Sequence, residues 1–192
     1  MAVADSELCF THIDVGAYGS ECDSNVFKKT ELGKALYSGT LNLPCPQALI
    51  TNAPQIDYPY VFVADEAFAC STNVLRPYPA KNTTVEKKIF NYRLSRARRY
   101  VECAFGLLAN KWRILHRPID VTFPDVIIQA CCVLHNFVRK RDGYNFRDTL
   151  TCPLESVSTT GTRGTVDGLT TRDAYAIYFS TEGAVPWQNK MI

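Results

Sequence analysis

No two cysteines stand at C-x-x-C spacing, although the chain carries them at positions 9, 22, 45, 70, 103, 131, 132 and 152. Structural zinc sites gather thiolates or imidazoles at short spacing around a turn, so a zinc finger or ribbon is excluded. Most of these cysteines have apolar neighbours, as in Leu8-Cys9-Phe10 and Ala130-Cys131-Cys132-Val133. They read as reduced, buried, small hydrophobes. A disulfide scaffold is not needed, because 192 residues can bury a core unaided. Long apolar runs are missing as well. The best stretch, Val126 to Val138, is interrupted by Gln129, His135 and Asn136 and falls short of a membrane span. The first residues lack a basic segment followed by an apolar one, so no secretory leader is expected. Neither a run of five basic residues nor a repeat of solenoid period occurs. Net charge is small: 21 Lys+Arg against 19 Asp+Glu leaves +2, which excludes a histone-like polycation and an acidic tail. The expectation is a soluble intracellular domain.

What is present reads as strands followed by helices. Residues 6–16 and 59–64 are rich in β-branched and aromatic residues and predict strands, the second stopping at Asp65. Val26 to Tyr37 predicts a short helix, and the Pro-containing stretch Leu41 to Tyr58 a loop. Leu94, Ala97, Val101, Ala104/Phe105, Leu108 and Trp112 recur at three-to-four spacing and predict the longest helix. A second helix is expected from about Pro124-Asp125 to Lys140, with a proline to open it and Arg139-Lys140-Arg141 to suit its C-terminus. From Thr151 to Thr171, nine residues are Ser or Thr and three are Gly, which suggests a flexible linker. Aromatics return in Ala174 to Trp187, a segment expected to dock back on the body. The order of elements predicts an α/β or α+β layer fold.

Charge is unevenly spread. Residues 81–117 hold ten Lys or Arg against Glu86 and Glu102, a local +8, and the remainder carries −6. A solvated helix face is the ordinary meaning of such a stretch. Here the acids that would pair with the bases at i±4 are almost missing. The stretch therefore reads as an electrostatic footprint for a polyanion, nucleic acid first.

Two carboxylates stand out beside it. Asp65 ends an apolar strand, and Glu102 lies within the long helix near the small residues Gly106 and Ala109. A carboxylate at a strand end and one on a helix can together hold a hard divalent ion, which accepts few carboxylates and keeps several waters. On spacing alone, a helix salt bridge from Glu102 to Arg98 or Arg99 is the simpler reading.

Three stretches resemble one family. Phe62-Val63-Ala64-Asp65-Glu66-Ala67-Phe68 is followed by Leu75-Arg76-Pro77-Tyr78-Pro79. Next come Phe90-Asn91-Tyr92-Arg93-Leu94-Ser95-Arg96-Ala97-Arg98-Arg99-Tyr100-Val101-Glu102 and its continuation through Lys111-Trp112-Arg113. The last is Ala130-Cys131-Cys132-Val133-Leu134-His135-Asn136-Phe137. Together they resemble the catalytic domain of PIF/Harbinger-type transposases and their domesticated relatives, the DDE superfamily endonucleases. The resemblance implies an α/β, RNase H-like fold: a mixed sheet flanked by helices, with an Asp-Asp-Glu triad for Mg²⁺ or Mn²⁺. Asp65 matches the second Asp and Glu102 the Glu, with 36 residues between them. Both would then be catalytic and metal-binding. Arg93, Arg96, Arg98, Arg99, Lys111 and Arg113 would hold the DNA backbone. His135 and Asn136 belong to a family signature, and their place in an apolar helix predicts a buried structural role.

The strand that carries the family's first Asp is absent from this sequence, as is the usual helix-turn-helix region. Asp5 and Asp14 each end a short apolar segment but match, by motif, a turn and the region of a later strand. The expected organisation is a partial endonuclease domain over 1–148, a linker over 149–173 and an aromatic segment over 174–192. Two functions follow. One is metal-dependent DNA phosphodiester hydrolysis, weakened by the missing strand. The other is a catalytically silent domesticated transposase that binds DNA or protein. A separately encoded Myb/SANT-like protein is the partner, and the nucleus the location, that the resemblance implies.

Overall fold

The computed structural model describes residues 1–49, 56–81, 83–142 and 164–192. Its first strands are β1 (Ala2–Ala4) and β2 (Phe10–Ile13), followed by helices α1 (Asp23–Lys29) and α2 (Glu31–Tyr37). Four two-residue strands come next: β3 (Gln47–Ala48), β4 (Asp57–Tyr58), β5 (Phe62–Val63) and β6 (Val74–Leu75). Three long helices complete the fold: α3 (Val85–Lys111), α4 (Pro124–Arg141) and α5 (Val166–Ser180). A mixed α and β structure, as the element order predicted, is therefore present. The strands form three separate pairs among the described residues: β1 with β2 and β3 with β4, both antiparallel, and β5 with β6, parallel.

Two units divide the chain. The first comprises the described residues of Met1–Thr30 and Arg99–Ser156, and the second those of Glu31–Arg98 and Val157–Ile192. In the first, β1 pairs with β2 across an irregularity between Val3 and Ala4. The strand expected over 6–16 is shortened at its start because Asp5 makes a turn there. Its Oδ1 accepts the Glu7 and Cys9 amides, both at 2.9 Å, and Leu8 takes a positive φ of 63°. Such a local side-chain acceptor competes with the ladder and ends it. Phe10, Ala104, Leu108, Cys131 and Cys132 form this unit's core, with Ile127, Ile128 and Trp112 packed around them.

The single helix expected over Val26–Tyr37 is two helices. Thr30, at φ −65° and ψ 155°, is extended and closes α1, donating its amide to the Val26 and Phe27 carbonyls.

In the second unit, Phe62 donates to the Asn73 carbonyl at 2.8 Å and Ala64 to the Leu75 carbonyl at 2.9 Å, which builds the parallel pair. Cys70, Leu75, Tyr78, Phe90, Leu94 and Ala176 make its core. Within the segment expected to be loop, Gln47–Ala48 and Asp57–Tyr58 pair as a small ladder. Helix α3 starts well before Leu94. Thr84 Oγ1 accepts the Lys87 amide at 3.4 Å as an N-cap, and Ile89 and Phe90 continue the buried stripe backward. Ala97, expected on that stripe, is exposed.

Residues 149–163 of the expected linker lie outside the described residues. From Val166 the chain is helical, a correction to the flexible reading. Thr165 caps α5 by accepting the Gly168 amide at 3.1 Å, and Ala176, Tyr175 and Phe179 pack into the core. Ser/Thr content therefore marks a helix start here rather than a spacer. Beyond α5 the aromatic tail docks as expected: Trp187 lies against Tyr92, ring centroids 6.0 Å apart.

Candidate functional site

Asp65 lies just past the C-terminal end of β5, where the parallel pair releases its chain. It is half-buried, and its Oδ1 accepts the Ala67 amide at 2.9 Å. This turn engages one carboxylate oxygen just beyond the strand end. Arg76, directly after β6, holds the same loop. Its Nη1 donates to the Glu66 carbonyl at 3.3 Å and the Phe68 carbonyl at 3.2 Å. Nothing in the sequence around Arg76 signals this role, since its partners are backbone carbonyls. In α/β folds, ligand sites form on loops just beyond the C-terminal ends of strands, where the framework positions them.

Glu102 belongs to the first unit, on the part of α3 that follows Arg98. It is half-buried, and its helical neighbours Ala104 and Leu108 are buried in that unit's core, as the periodicity predicted. The small residues Gly106 and Ala109 are both partly exposed. A carboxylate in this setting suits a hard cation that keeps part of its water. Among the described residues, no group of three or more His, Cys, Asp or Glu side chains gathers in a metal-holding arrangement.

The basic residues do different work. Arg93 is half-buried, its Nη1 donating to the Gly183 carbonyl and Gln188 Oε1, both at 3.3 Å. Its guanidinium lies 4.7 Å from the Phe179 ring centroid. Arg93 thus fastens the C-terminal segment to α3. Arg96 is exposed and stacks 4.4 Å from the centroid of Trp187, an arrangement that pre-orders its guanidinium. Arg99, Lys111 and Arg113 are exposed, and Arg98 is half-buried. The described residues thus leave four of the six expected DNA contacts open to solvent. Gln188 was not anticipated. It is fully buried, accepts from Arg93 and donates to the Phe179 carbonyl at 2.8 Å.

His135 has the buried structural role expected for it, and Asn136 a structural role at a half-buried position. His135 is buried and its Nε2–H donates to the Leu8 carbonyl at 2.7 Å. Burial pushes its pKa down, partly opposed by the hydrogen bond to Leu8 and aided by the nearby Arg139 and Lys111 charges, which favours the neutral ring. Asn136 brackets the Phe10 backbone, accepting its N–H at 2.8 Å and donating to its carbonyl at 2.7 Å. One turn on, the buried Arg139 donates to the Glu7 carbonyl at 3.1 and 2.7 Å. Helix α4 therefore clasps the turn between β1 and β2 through residues 135, 136 and 139. Asn91 repeats the device in the second unit, accepting the Tyr78 N–H at 2.7 Å and donating to its carbonyl at 2.9 Å. The side-chain amide is the reason: it offers a donor and an acceptor side by side, matched to an extended backbone.

Cys9, Cys70, Cys131 and Cys132 are buried and unbridged, as expected, and burial raises the pKa of each thiol. Cys22 and Cys45 are exposed, and Cys152 lies outside the described residues.

The chain is thus a mixed α/β protein with a carboxylate beyond a strand end and an arginine-rich helix. The family can be named. Residues 1–136 match the DDE superfamily endonuclease family, and the chain belongs to it. The PIF/Harbinger, transposase-derived resemblance is thereby upheld. Over 147 residues the chain is 29% identical to "Protein ALP1-like" of Arabidopsis thaliana, a match covering 71% of this chain and 34% of that protein. The chain thus spans well under two thirds of the length of this curated relative. No solved structure matches it. No described helix is long and apolar enough to cross a membrane.

Proposed function

We propose that this chain is the metal-dependent DNA endonuclease part of a Harbinger transposase-derived protein, with Asp65 and Glu102 as ligands of Mg²⁺ or Mn²⁺. The family match over residues 1–136 carries the reading. The half-buried Asp65, anchored through Oδ1 at the end of a parallel strand, supports it. A divalent cation bound there supplies charge neutralisation and water activation for in-line phosphodiester hydrolysis. The chain's own part is to present the carboxylates and to hold the DNA backbone. Asp65 is kept in place by its turn and by Arg76 on the same loop. Arg96, Arg98, Arg99, Lys111 and Arg113 serve the backbone along α3 and just after it, and Arg93 acts mainly by fixing the C-terminal segment. An RNase H-like arrangement is the fold this reading entails. A Myb/SANT-like partner would bring base recognition, and the nucleus would be the site of action.

A second reading has its own support. The exposed arginines, with Arg96 pre-ordered on Trp187, serve DNA binding whether or not cleavage follows. One experiment separates the two. Purified chain is incubated with supercoiled plasmid and Mg²⁺ or Mn²⁺, beside Asp65→Asn and Glu102→Gln. The nuclease reading expects nicking that falls about 100-fold or more in either variant, the scale of losing metal-borne charge stabilisation. No nicking by the wild type, with DNA binding unchanged by Asp65→Ala and Glu102→Ala, establishes the silent binding module instead.

A further inference from the structure

Trp187 stays at the surface, 40% exposed, at the start of the 3₁₀ turn Gln188–Lys190. Tryptophan is highly buried on average, so an indole that is held in place and yet open calls for a reason. It is not a loose end. Gln188 beside it is buried, accepts the Val185 amide and Arg93 Nη1, both at 3.3 Å, and donates to the Phe179 carbonyl at 2.8 Å. Tyr92 meets the indole in a T-shaped contact, ring centroids 6.0 Å apart. The Arg96 guanidinium lies 4.4 Å from the indole centroid and that of Arg93 6.0 Å. All of these residues belong to the second unit.

Arg96 is exposed, and no ion pair among the described residues involves it. On a surface helix an arginine ordinarily meets an acid three or four residues away. Those positions hold Tyr92, Arg93, Arg99 and Tyr100. The stretch 81–98 carries six Lys or Arg against Glu86 alone. Lys88, Tyr92 and Arg96 recur every four residues on one face of α3, about 6 Å apart along its axis. Simple packing would cover Trp187 and pair Arg96 with a carboxylate, and neither occurs. Cations interleaved with aromatics are what a single nucleic-acid strand needs, the cations for its phosphates and the aromatic faces for its bases. Duplex DNA can use only the cations here, because its bases are already stacked on one another.

We propose that Arg96 and Trp187 form a stacking platform for an unpaired base of single-stranded DNA, with the neighbouring cations of α3 taking the adjoining phosphates. The inference rests on the reading of this chain as a DNA-processing domain, and narrows it to strands whose bases are open. A guanidinium is planar and can lie between two flat groups, here the indole on one side and a base on the other. Its N–H edge still reaches a phosphate. The indole contact fixes the guanidinium before DNA arrives, which reduces the ordering that binding must otherwise supply.

Fluorescence anisotropy with a labelled 12-nucleotide DNA strand, and with the duplex of the same sequence, tests this on the full chain. Trp187→Ala is expected to weaken single-strand binding on the order of tenfold and duplex binding by no more than about twofold. Arg96→Lys keeps the charge and loses the plane, so it should weaken the single strand alone and leave the salt slope unchanged. Equal losses on strand and duplex overturn the platform, since Trp187 then acts only by ordering the surface. Single-strand binding that survives Trp187→Ala overturns it as well. Tighter binding of the same strand made as RNA, with the same dependence on Trp187, overturns the assignment to DNA. A wild type that binds duplex but no single strand sinks this inference and leaves the DNA-processing reading standing, whereas binding of neither removes both. If Trp187→Ala fails to fold, Arg96→Lys decides alone.

Discussion

At the residue scale, single polar side chains hold backbone that the small sheets leave without a ladder. Asn136 and Asn91 each satisfy both backbone groups of one aromatic residue, Phe10 and Tyr78. Leaving such a part-buried pair unsatisfied costs roughly 1–3 kcal/mol, far more than the net value of a made hydrogen bond. His135 does the same for the Leu8 carbonyl, and at a strained position, since Leu8 holds a positive φ. Its titration has a definite sign. The ring's pKa in the folded chain lies below the ordinary value of 6.5, first because burial penalises its charged form. Above pH 6.5 both folded and unfolded chains carry it neutral, and no stability is at stake. Below that the unfolded chain takes up a proton that the folded one resists, so stability falls as pH drops toward the folded pKa. Thermal melts between pH 7.5 and pH 5 should show this loss. His135→Gln keeps a donor for Leu8 without the titration, and the loss should be smaller there; an identical pH slope would show that other groups are responsible.

At the scale of elements, α5 depends on close approach rather than on bulk. A methyl group on Gly168 would sit 2.5 Å from Ser71 Cα and 2.6 Å from Ser71 N, both backbone atoms that cannot swing away. The Gly168 carbonyl also accepts from Cys70 Sγ at 3.2 Å. Helix propensity alone would favour Gly168→Ala by about 1 kcal/mol. Overpacking against backbone costs about 1–3 kcal/mol. The second effect is the larger, so Gly168→Ala should lower the melting temperature by a few degrees. An unchanged or raised value would mean that α5 can slide on the Cys70–Ser71 segment. Helix α3 shows the opposite economy: one 27-residue element serves the core of each unit with different stretches of its length. Ile89, Phe90 and Leu94 are buried before Arg98, and Ala104, Leu107 and Leu108 after it.

At the scale of the whole molecule, the charge is segregated while its total is near zero. Residues 81–117 hold a surplus of eight positive charges on a chain whose net is +2. A protein of this kind attracts a polyanion locally without binding one everywhere. Each phosphate contact releases counterions, so affinity for duplex DNA should fall with salt, and the log–log slope should shrink by about 1 for each arginine removed. Comparing Arg99→Ala with the wild type by fluorescence anisotropy at several salt concentrations reads this out. An unchanged slope would remove Arg99 from the interface. Arg93→Ala should act differently, lowering stability as well, because Arg93 bonds to Gly183 and Gln188.

Much of this was legible in the order of residues alone. Helical periodicity set α3 and α4, since burial of one face every 3.6 residues is a one-dimensional pattern. Motif content singled out Asp65, Glu102 and the arginine run as candidates, and the place of His135 and Asn136 in an apolar helix predicted their structural role. Other features were decided only in three dimensions. The strands' partners, the separate pairs and the first strand at Ala2–Ala4 depend on pairing across turns, which no hydrophobic period in the sequence records. The Ser/Thr-rich stretch read as a linker because composition cannot tell a cap from a spacer. What distinguishes Arg93 from Arg99 is likewise invisible in the sequence. Both are arginines on the same helix, and only the docking of Gln188 and Phe179 from the far end of the chain turns one of them inward. Local sequence determines which conformation a segment favours, whereas the use of each side chain depends on neighbours that folding brings from elsewhere in the chain.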